Sequence, residues 1–599
     1  MKKILLSIAF ALMGIASGFA AKAYSGIITV TQSDGTELNV RMYGDEHFNW
    51  LTTEDGVLLI QEGNNYYIAE TTSYGTLKAT KFIAHNANKR VSAEIKAIKK
   101  QNHSRFRSYA IEQASTAKAM GTGNNGVKYF PHSGSPKALV ILVEFSDTTF
   151  RSGEKAKNVF EHFLKGKAED ALPDGYEAYT GSYKNKDLLR NKGSVSDYFY
   201  DMSKGTYTPQ FDVVGPYKLN HSSLYYGQGD KDNTYALVSD ACKAADKDVD
   251  FSRYDADGDG MVDLVYIIYA GYPASMSGNP NDIWPKSGPG NGSFGTYDGK
   301  QVCRYGVHAE LNFGWALNKK KGFLLSGIGL FCHEFSHTLG LPDLYPTVDA
   351  SKVDNQNPEM WDLMDGGEYT YNGGYCPTPY SPWELDVMGW TSPVELGDKA
   401  KQVQLKSYYK ERTAYKINGE NDEYLLIQNI QKGGWWNGIA NVYNTGMLIW
   451  RIDYGTKDVN LFDNPNNNIG KPKVMIVPAD GYVISDYNHG KGKKWTDDEY
   501  KESLKGDPFP GTGDVKELLS IELNNSTLKK PFYNIKETNG VITFDYLKDF
   551  ATGIDSPVIQ QNQEKDTRIF TLDGRYLGTD VSQLTKGVYI IGKKKVIIK

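Results

Sequence analysis

The stretch that decides the fold and chemistry of this chain is HEFSHTLGLPD, residues 333–343. On a helix, His333 and His337 lie one turn apart on the same face, so their imidazoles can converge on one metal ion. Glu334 lies between them, and its carboxylate can reach the open side of that metal and take a proton from metal-activated water. The stretch therefore predicts a helix that carries a catalytic metal site.

A helix stop follows the second histidine. Gly340 permits the backbone conformation that ends a helix, and Pro342 prevents its continuation, so the chain turns back and presents Asp343 as a third ligand. Two imidazoles and one carboxylate leave one position for water, which is typical of a catalytic rather than a structural zinc site. A chance occurrence of H-E-x-x-H is the competing interpretation, and the added Gly and Asp at fixed offsets make it rare.

The N-terminus has the plan of a secretory signal. Two lysines precede an apolar run over residues 4–19, and small residues follow, so we expect a signal peptide over 1–23 with cleavage after Ala20 or Ala23. No later stretch approaches the roughly 18 apolar residues that span a bilayer. We therefore expect a secreted or cell-surface protein without a transmembrane span in its mature chain.

The composition favours a large, loop-rich globular protein. The chain has 599 residues, a net charge of -5, 41 Tyr and 61 Gly. Charges of both signs are interspersed, which argues against nucleic acid as a partner, and we expect a monomer. Export permits disulfides, and four cysteines allow three pairings, but free buried thiols are an equal alternative. The cysteines are Cys242, Cys303, Cys332 and Cys376. Cys332 adjoins His333 but faces another side of the helix, so we do not expect it to bind the metal.

Changes in composition along the chain predict an α+β protein with several parts. The expected parts are a β-rich propeptide-like domain (24–85), a basic linker (86–136), a catalytic domain (137–400), a β-sandwich-like region packed on or extending it (401–548) and a small β-rich C-terminal segment (549–599). The basic linker ends in a Gly-rich stretch, which suits either an activating cleavage or an ordinary interdomain connection.

An acidic loop, DADGDGMVD (255–263), precedes a predicted buried strand. Oxygens at alternating positions around glycines suit a hard cation, so we predict a structural calcium site. Its expected ligands are Asp255, Asp257, Asp259, the Met261 carbonyl and Asp263. The twelfth position of the loop is not Glu, so the pattern departs from an EF-hand, and an acidic turn without an ion is the alternative.

The segment HEFSHTLGLPDLY (333–345) resembles the immune inhibitor A family of secreted bacterial metallopeptidases, which has the pattern H-E-x-x-H-x-x-G-x-x-D. Further similar segments are GDEHFNW (44–50), which resembles a propeptide region, SVSDYFY (194–200), DIW (282–284) and MDGG (364–367). The resemblance covers about residues 26–548 and is strongest over 137–390. It implies a metzincin-like zinc peptidase domain behind an inhibitory N-terminal domain.

In metzincin-type peptidases a Met-containing turn lies beneath the zinc. Met364 is our choice for that residue, although either Met360 or Met364 can instead be a simple core residue. A tyrosine downstream of the turn can assist the transition state, and Tyr369 and Tyr371 are the candidates. Buried or surface tyrosines are common in so Tyr-rich a chain, so a structural role for both remains the alternative.

Latency cannot depend on a thiol, because the N-terminal domain contains no cysteine. If this domain is inhibitory, a carboxylate or an imidazole must block the metal, or the domain must only fill the cleft. We select Asp45, Glu46 and His47 as candidate latency residues; the alternative is that they are purely structural.

The C-terminal segment resembles the sorting domains of type IX secretion, which export proteins through the envelope of some Gram-negative bacteria. We therefore expect the secretion machinery as a partner, and a final hairpin docked on the neighbouring domain is the alternative. The residue patterns together predict a zinc endopeptidase that acts on proteins or peptides and is made as a latent zymogen. The competing interpretations are a calcium-stabilised surface adhesin with a relict metal site and a zinc hydrolase of non-peptide bonds.

Overall fold

The structure is a computed structural model. It describes residues 21–45, 48–110, 129–179, 190–227, 233–289, 294–313, 322–347, 358–456, 459–482 and 496–550, and, near the C-terminus, 569–571, 576–578, 580–581, 584–591 and 594–598. The chain divides into two compact units, Met1–Leu547 and Lys548–Lys599.

The first unit begins with a six-stranded antiparallel meander in which each strand pairs with the next along the chain. Its strands are β1 (Ile28–Thr31), β2 (Glu37–Gly44), β3 (Asn49–Thr53), β4 (Leu58–Glu62), β5 (Asn65–Thr71) and β6 (Leu77–Ile83), followed by helix α1 (Ser92–Ile98). Alternating apolar residues give the sheet one buried face. That face packs against Ala274 and Trp284, which belong to the central part of the unit.

A five-stranded sheet forms the centre, with the order β11-β14-β10-β7-β8. The strands of this region are β7 (Lys137–Glu144), β8 (Gln210–Lys218), β9 (Met261–Val262), β10 (Val265–Tyr269), β11 (Lys286–Pro289), β12 (Thr296–Tyr297), β13 (Lys300–Val302) and β14 (Arg304–Ala309). Strands β14, β10, β7 and β8 run parallel, whereas β11 is an antiparallel edge strand. Strands β12, β13 and β9 form a separate small sheet.

Helices cover both faces of the central sheet. They are α2 (Ala156–Lys165), α3 (Val195–Met202), α4 (Ser223–Tyr226), α5 (Thr234–Ala245), α6 (Ala274–Ser277) and α7 (Ile328–Thr338). Because side chains alternate along a strand, Ile141 of β7 points into the core shared with α5, whereas Leu142 points into the core that contains Phe331 of α7. This continuous apolar strand therefore fixes α7, the predicted metal-binding helix, against the sheet.

The remainder of the first unit is mainly β-structure. Its strands are β15 (Val394–Glu395), β16 (Lys401–Leu405), β17 (Tyr415–Asn418), β18 (Tyr424–Ile430), β19 (Gly446–Ile452), β20 (Val474–Ile476), β21 (Ile521–Glu522), β22 (Thr527–Leu528), β23 (Phe532–Thr538) and β24 (Val541–Tyr546). Its helices are α8 (Pro382–Val387), α9 (Tyr408–Glu411), α10 (Asn437–Val442) and α11 (Asp497–Gly506). Ile427 and Phe544 belong to the core between the two larger sheets, whereas Leu426 and Trp450 lie in the core that contains α7. This β-rich region is therefore packed on the side of the central sheet that carries α7.

The second unit contains a four-stranded antiparallel sheet with the order β26-β25-β27-β28. Its strands are β25 (Ile569–Thr571), β26 (Tyr576–Gly578), β27 (Gly587–Ile591) and β28 (Lys594–Ile598). The mixture of helices and sheets agrees with the expected α+β class. All four cysteines are free thiols, and none of the described helices is both long and apolar enough to cross a membrane.

Candidate active site

Helix α7 carries both predicted histidine ligands, and His333, Glu334 and His337 are all fully buried. The Nδ1 atom of His333 donates to the carbonyl oxygen of Leu363 at 2.8 Å, and the Nδ1 atom of His337 donates to that of Leu341 at 2.7 Å. Carbonyl oxygens only accept, so these bonds fix both tautomers and direct each Nε2 atom toward the same point.

The turn after α7 brings Asp343 to that point, as the sequence predicts. Gly340 has a φ of 104°, a conformation that L side chains rarely adopt, and it ends the helix. The Oδ1 atom of Asp343 lies 3.3 Å from Nε2 of both His333 and His337. Burial alone would raise the pKa of Asp343, but the two imidazoles outweigh it and hold that pKa well below its usual range. One ligand atom from each of the three residues lies within 4.8 Å of the others.

Met364 is fully buried next to the turn that carries Asp343. Its carbonyl oxygen accepts the backbone N–H of Leu344, next to Asp343, at 2.8 Å. The preceding residue, Leu363, supplies the carbonyl that orients His333. The turn around Met364 therefore positions two of the three candidate ligands.

A second buried carboxylate lies behind His333. The Oε2 atom of Glu368 is 3.9 Å from His333 Nδ1, and burial raises the pKa of Glu368 to about 8. Gly329 of α7 lets the helix approach this turn, because a Cβ atom there would lie 2.0 Å from the carbonyl oxygen of Glu368. The turn and the helix are thus in direct backbone contact.

The side of Glu334 that faces the cleft is occupied by the start of the described chain. The backbone N–H of Ala21 donates to Glu334 Oε1 at 2.6 Å, and the carbonyl oxygen of Ala21 accepts from Trp284 Nε1 at 2.9 Å. The backbone N–H of Tyr24 donates to the carbonyl oxygen of Ser275 at 2.8 Å. Residues 21–24 therefore run through the cleft as a peptide strand bound on both sides.

Lys22 extends from this strand into a closed pocket. Its ammonium forms an ion pair with the carboxylate of Asp365, and the two side chains are 1% and 0% exposed. The carbonyl oxygen of Lys22 accepts from the hydroxyl of Tyr369 at 2.7 Å. The residue after Met364 and the first tyrosine after the turn thus both contact the N-terminal strand.

The structure separates the two candidate tyrosines. Tyr369 is buried in the cleft beside the N-terminal strand. Tyr371 has a φ of 62°, and it lines a different cavity with Arg190 and Asn437. The change of backbone direction between them turns only Tyr369 toward Glu334.

Of the three predicted latency residues, Asp45 is described and buried. Its Oδ1 atom accepts the N–H of Phe48 at 3.2 Å, which closes a turn. The preceding Gly44 accepts the N–H of Ala23 at 2.8 Å, so this turn holds the N-terminal strand. Glu46 and His47 lie outside the described residues.

Comparison with known proteins agrees with this geometry. Residues 129–391 match the model of the immune inhibitor A peptidase M6 catalytic domain. This part of the chain is similar to an M6 peptidase catalytic domain. The resemblance to the immune inhibitor A family is thereby confirmed, and the metal of a metallopeptidase domain is expected at the His333, His337 and Asp343 cluster.

Three curated relatives are similar to parts of the chain. Immune inhibitor A of Bacillus thuringiensis subsp. alesti is 27% identical over 310 residues, which cover 43% of this chain and 41% of that protein. Pre-pro-metalloprotease PrtV of Vibrio cholerae serotype O1 is 23% identical over 287 residues, 41% of this chain and 29% of the relative. A putative secreted metallopeptidase of Arthroderma benhamiae is 24% identical over 238 residues, 35% of this chain and 33% of the relative. The chain thus spans 41% of the length of Immune inhibitor A, and it spans smaller shares, 29% and 33%, of the other two relatives.

Within the M6 domain, the acidic loop is only partly assembled as predicted. Carboxylate oxygens of Asp255, Asp257 and Asp259 lie within 4.8 Å of one another. Asp263 stands outside this group, and its Oδ2 atom accepts the N–H of Ala256 at 2.9 Å. Lys300 Nζ lies 2.6 Å from Asp255 Oδ2, and this hydrogen bond lowers the pKa of Asp255. Three of the four predicted carboxylate ligands are therefore grouped.

Several residues of this cleft were missed by the sequence analysis. Trp284 and Asp365 were noted only as parts of similar segments, and Ala21 and Lys22 only as flanks of a cleavage site. A lysine between alanines directly after a signal-like run is the single signal that could have drawn attention to the N-terminal strand. Its partner Asp365 is 343 positions away, so no local pattern joins the two.

Proposed function

We propose that this chain is a secreted zinc endopeptidase that is held latent by its N-terminal residues. The observation that carries the proposal is the buried convergence of His333, His337 and Asp343 beside Glu334. Because the alignments cover less than half of each relative, the activity of the whole chain is proposed from the site itself.

The donor set fits zinc. Two neutral imidazoles and one carboxylate suit this ion and leave a position for water or substrate. The carbonyl oxygens of Leu363 and Leu341 hold the Nδ1 protons of His333 and His337, which is the outer arrangement that orients histidine ligands. When bound, zinc would supply Lewis-acid activation of water and of the substrate carbonyl.

A protein side chain would then transfer the proton of the attacking water. Glu334 would accept it from the attacking water and return it to the leaving amine nitrogen. The position of Ala21 supports this role, since its backbone nitrogen already lies against Glu334 Oε1. Tyr369 would hold the substrate backbone on the leaving-amine side, because its hydroxyl donates to the carbonyl oxygen of Lys22, the residue after the nitrogen that lies on Glu334.

The surroundings of α7 support a metzincin-like arrangement. Strand β11 is the antiparallel edge of an otherwise parallel sheet, and it lies beside α7, where Ser287 Oγ donates to the carbonyl oxygen of Glu334 at 2.5 Å. The edge strand of a sheet can hold an extended peptide by backbone hydrogen bonds, and β11 is the edge strand next to the proposed catalytic residues. Met364 would supply the turn beneath the metal.

Latency would come from occupation of the cleft. Residues 21–24 bond to Glu334, Trp284 and Ser275, and the N-terminal sheet packs on the same region through Trp284. Substrate cannot enter until this strand leaves. Cleavage within the basic linker and departure of the N-terminal domain would open the site.

The N-terminus, the acidic loop and the second unit would serve export, calcium binding and sorting, respectively. The signal-like N-terminus and the similarity to a putative secreted metallopeptidase support secretion. A calcium ion on Asp255, Asp257 and Asp259 would be structural. The second unit would serve as a type IX sorting domain that contacts the secretion machinery of a Gram-negative envelope.

Casein digestion by the full chain tests the function. After activation with trypsin and inhibition of the trypsin, we expect hydrolysis that 1,10-phenanthroline abolishes and stoichiometric zinc restores. Hydrolysis that persists in the metal-free protein would contradict a zinc enzyme. Absence of any hydrolysis by the zinc-loaded, activated chain would favour the adhesin alternative.

A further inference from the structure

We propose that the pocket with Asp365 at its end binds a lysine or arginine side chain of the substrate. This side chain belongs to a residue on the C-terminal side of the cleaved bond. This inference rests on the proposed peptidase function and names a substrate class for it. The N-terminal strand shows how the pocket is used, because Lys22 occupies it while the backbone of Ala21 lies on Glu334.

The pocket is built for a long cationic side chain. Asp365 lies at its end, and the Oδ2 atom of this residue accepts the N–H of Glu359 at 2.7 Å, which fixes the carboxylate. Gly366 leaves space beside it, since a Cβ atom there would lie 3.3 Å from Lys22 Nζ and 2.8 Å from Met360 Sδ. The ring of Tyr345 lies 6.0 Å from the ammonium, within the range of a cation–π contact.

Because the charge of Asp365 is buried, the pocket discriminates between basic and other substrate side chains. Both Lys22 and Asp365 are almost completely removed from water. Removing one partner of such a desolvated pair leaves the other charge buried and uncompensated, which is far more costly than losing an exposed ion pair. A substrate with an apolar or acidic side chain at this position would therefore bind weakly, whereas lysine or arginine would restore the pair.

The contact of Ala21 with Glu334 gives the position of the pocket along a substrate. Glu334 is proposed to return a proton to the leaving amine, and the backbone nitrogen of Ala21 lies at that place. The carbonyl oxygens of Ala21 and Lys22 then follow in chain order toward Trp284 and Tyr369. A side chain in the pocket of Asp365 thus belongs to the part of the substrate that leaves with the new amino terminus.

Peptide cleavage by the trypsin-activated full chain, with trypsin inhibited, tests this inference. Peptides of one sequence would carry Lys, Arg, Met or Glu at each position around the cleaved bond, with products identified by mass. We expect kcat/KM for Lys or Arg to exceed that for Met at least tenfold at the second residue after the cleaved bond, the position that Lys22 takes relative to the nitrogen of Ala21. Efficient cleavage without a basic preference there would overturn the inference and leave the peptidase function intact, whereas no cleavage of any peptide or of casein would count against both.

Two variants test whether the preference for basic side chains comes from this pocket. Asp365→Asn should lower kcat/KM about a hundredfold for the Lys peptide, because truncating one partner of a buried charge pair is costly, and less than threefold for the Met peptide. Gly366→Ala, which narrows the pocket without removing its charge, should lower kcat/KM at least fivefold for the Lys and Arg peptides and less than twofold for a peptide with Ala at that position. Equal losses on basic and neutral peptides in both variants would contradict the assignment.

Discussion

The backbone nitrogen of Ala21 lies 2.6 Å from Glu334 Oε1, although 313 positions separate these residues in the chain. The contact joins the end of a signal-like segment to the proposed catalytic base. The N-terminal strand thus occupies the candidate active site, and a turn closed by Asp45 supports this strand. The proposed latency and the proposed catalysis would share the same carboxylate.

The first residue of the exported, uncleaved protein should be Ala21. Signal cleavage after Ala20 keeps the strand that reaches Glu334, whereas cleavage after Ala23 would remove it. N-terminal sequencing of the secreted protein before activation should give Ala-Lys-Ala-Tyr. A first residue of Tyr24 in a fully latent protein would show that this strand is not needed for latency.

Lys22→Glu should activate the uncleaved chain. The substitution places a second carboxylate against buried Asp365, and two buried like charges repel strongly. We expect hydrolysis of a fluorogenic peptide by the uncleaved variant to rise at least tenfold. Lys78→Glu, at an exposed position on β6 of the same N-terminal sheet, is the matched control and should stay latent. Equal activity of the two variants would argue against cleft occupation by Lys22.

Tyr369→Phe and Tyr371→Phe should differ in the activated enzyme. The hydroxyl of Tyr369 donates to a backbone carbonyl in the cleft, and loss of this hydrogen bond to a bound peptide should lower kcat/KM about tenfold. Tyr371 lines another cavity, so its variant should retain kcat/KM within threefold. Steady-state kinetics on one peptide substrate measures both, and equal kcat/KM values for the two variants would exclude the proposed role of Tyr369.

Calcium should raise the melting temperature of the full chain. Binding to the folded state alone stabilises it by about 2.7 kcal/mol when the free ion is at about a hundred times Kd. Differential scanning calorimetry should show an increase of several degrees with calcium. The double variant Asp257→Asn and Asp259→Asn should lose it, because two of the three grouped carboxylates are gone. The same increase in wild type and variant would place any calcium site elsewhere.

The metal cluster could be predicted because its residues lie in one short segment. A helix period joins His333 to His337, and Gly340 forces the turn that presents Asp343. Met364 was chosen on the resemblance to metzincin-type peptidases, and its role in a turn beneath the metal stays a prediction. Local patterns of this kind depend on backbone geometry that a few residues fix by themselves.

Contacts between distant segments could not be predicted in this way. The partners Lys22 and Asp365 meet only after the N-terminal sheet has packed on Trp284. The sequence also left Tyr369 and Tyr371 as equal candidates, because the positive φ of Tyr371 that separates them is a product of the surrounding packing. In the acidic loop, Asp263 accepts the N–H of Ala256 and lies outside the group of three carboxylates, which alternating spacing does not reveal.

The most direct test of the account measures zinc content and peptide hydrolysis together in activated wild type and Glu334→Gln. The variant keeps the three ligands His333, His337 and Asp343 and loses only the group that moves the proton. We expect one zinc per chain in both proteins and a loss of about a thousandfold in kcat/KM in the variant, within the range for a general acid–base residue. Near wild-type hydrolysis by a zinc-loaded Glu334→Gln protein, or no zinc in either protein, would contradict the account.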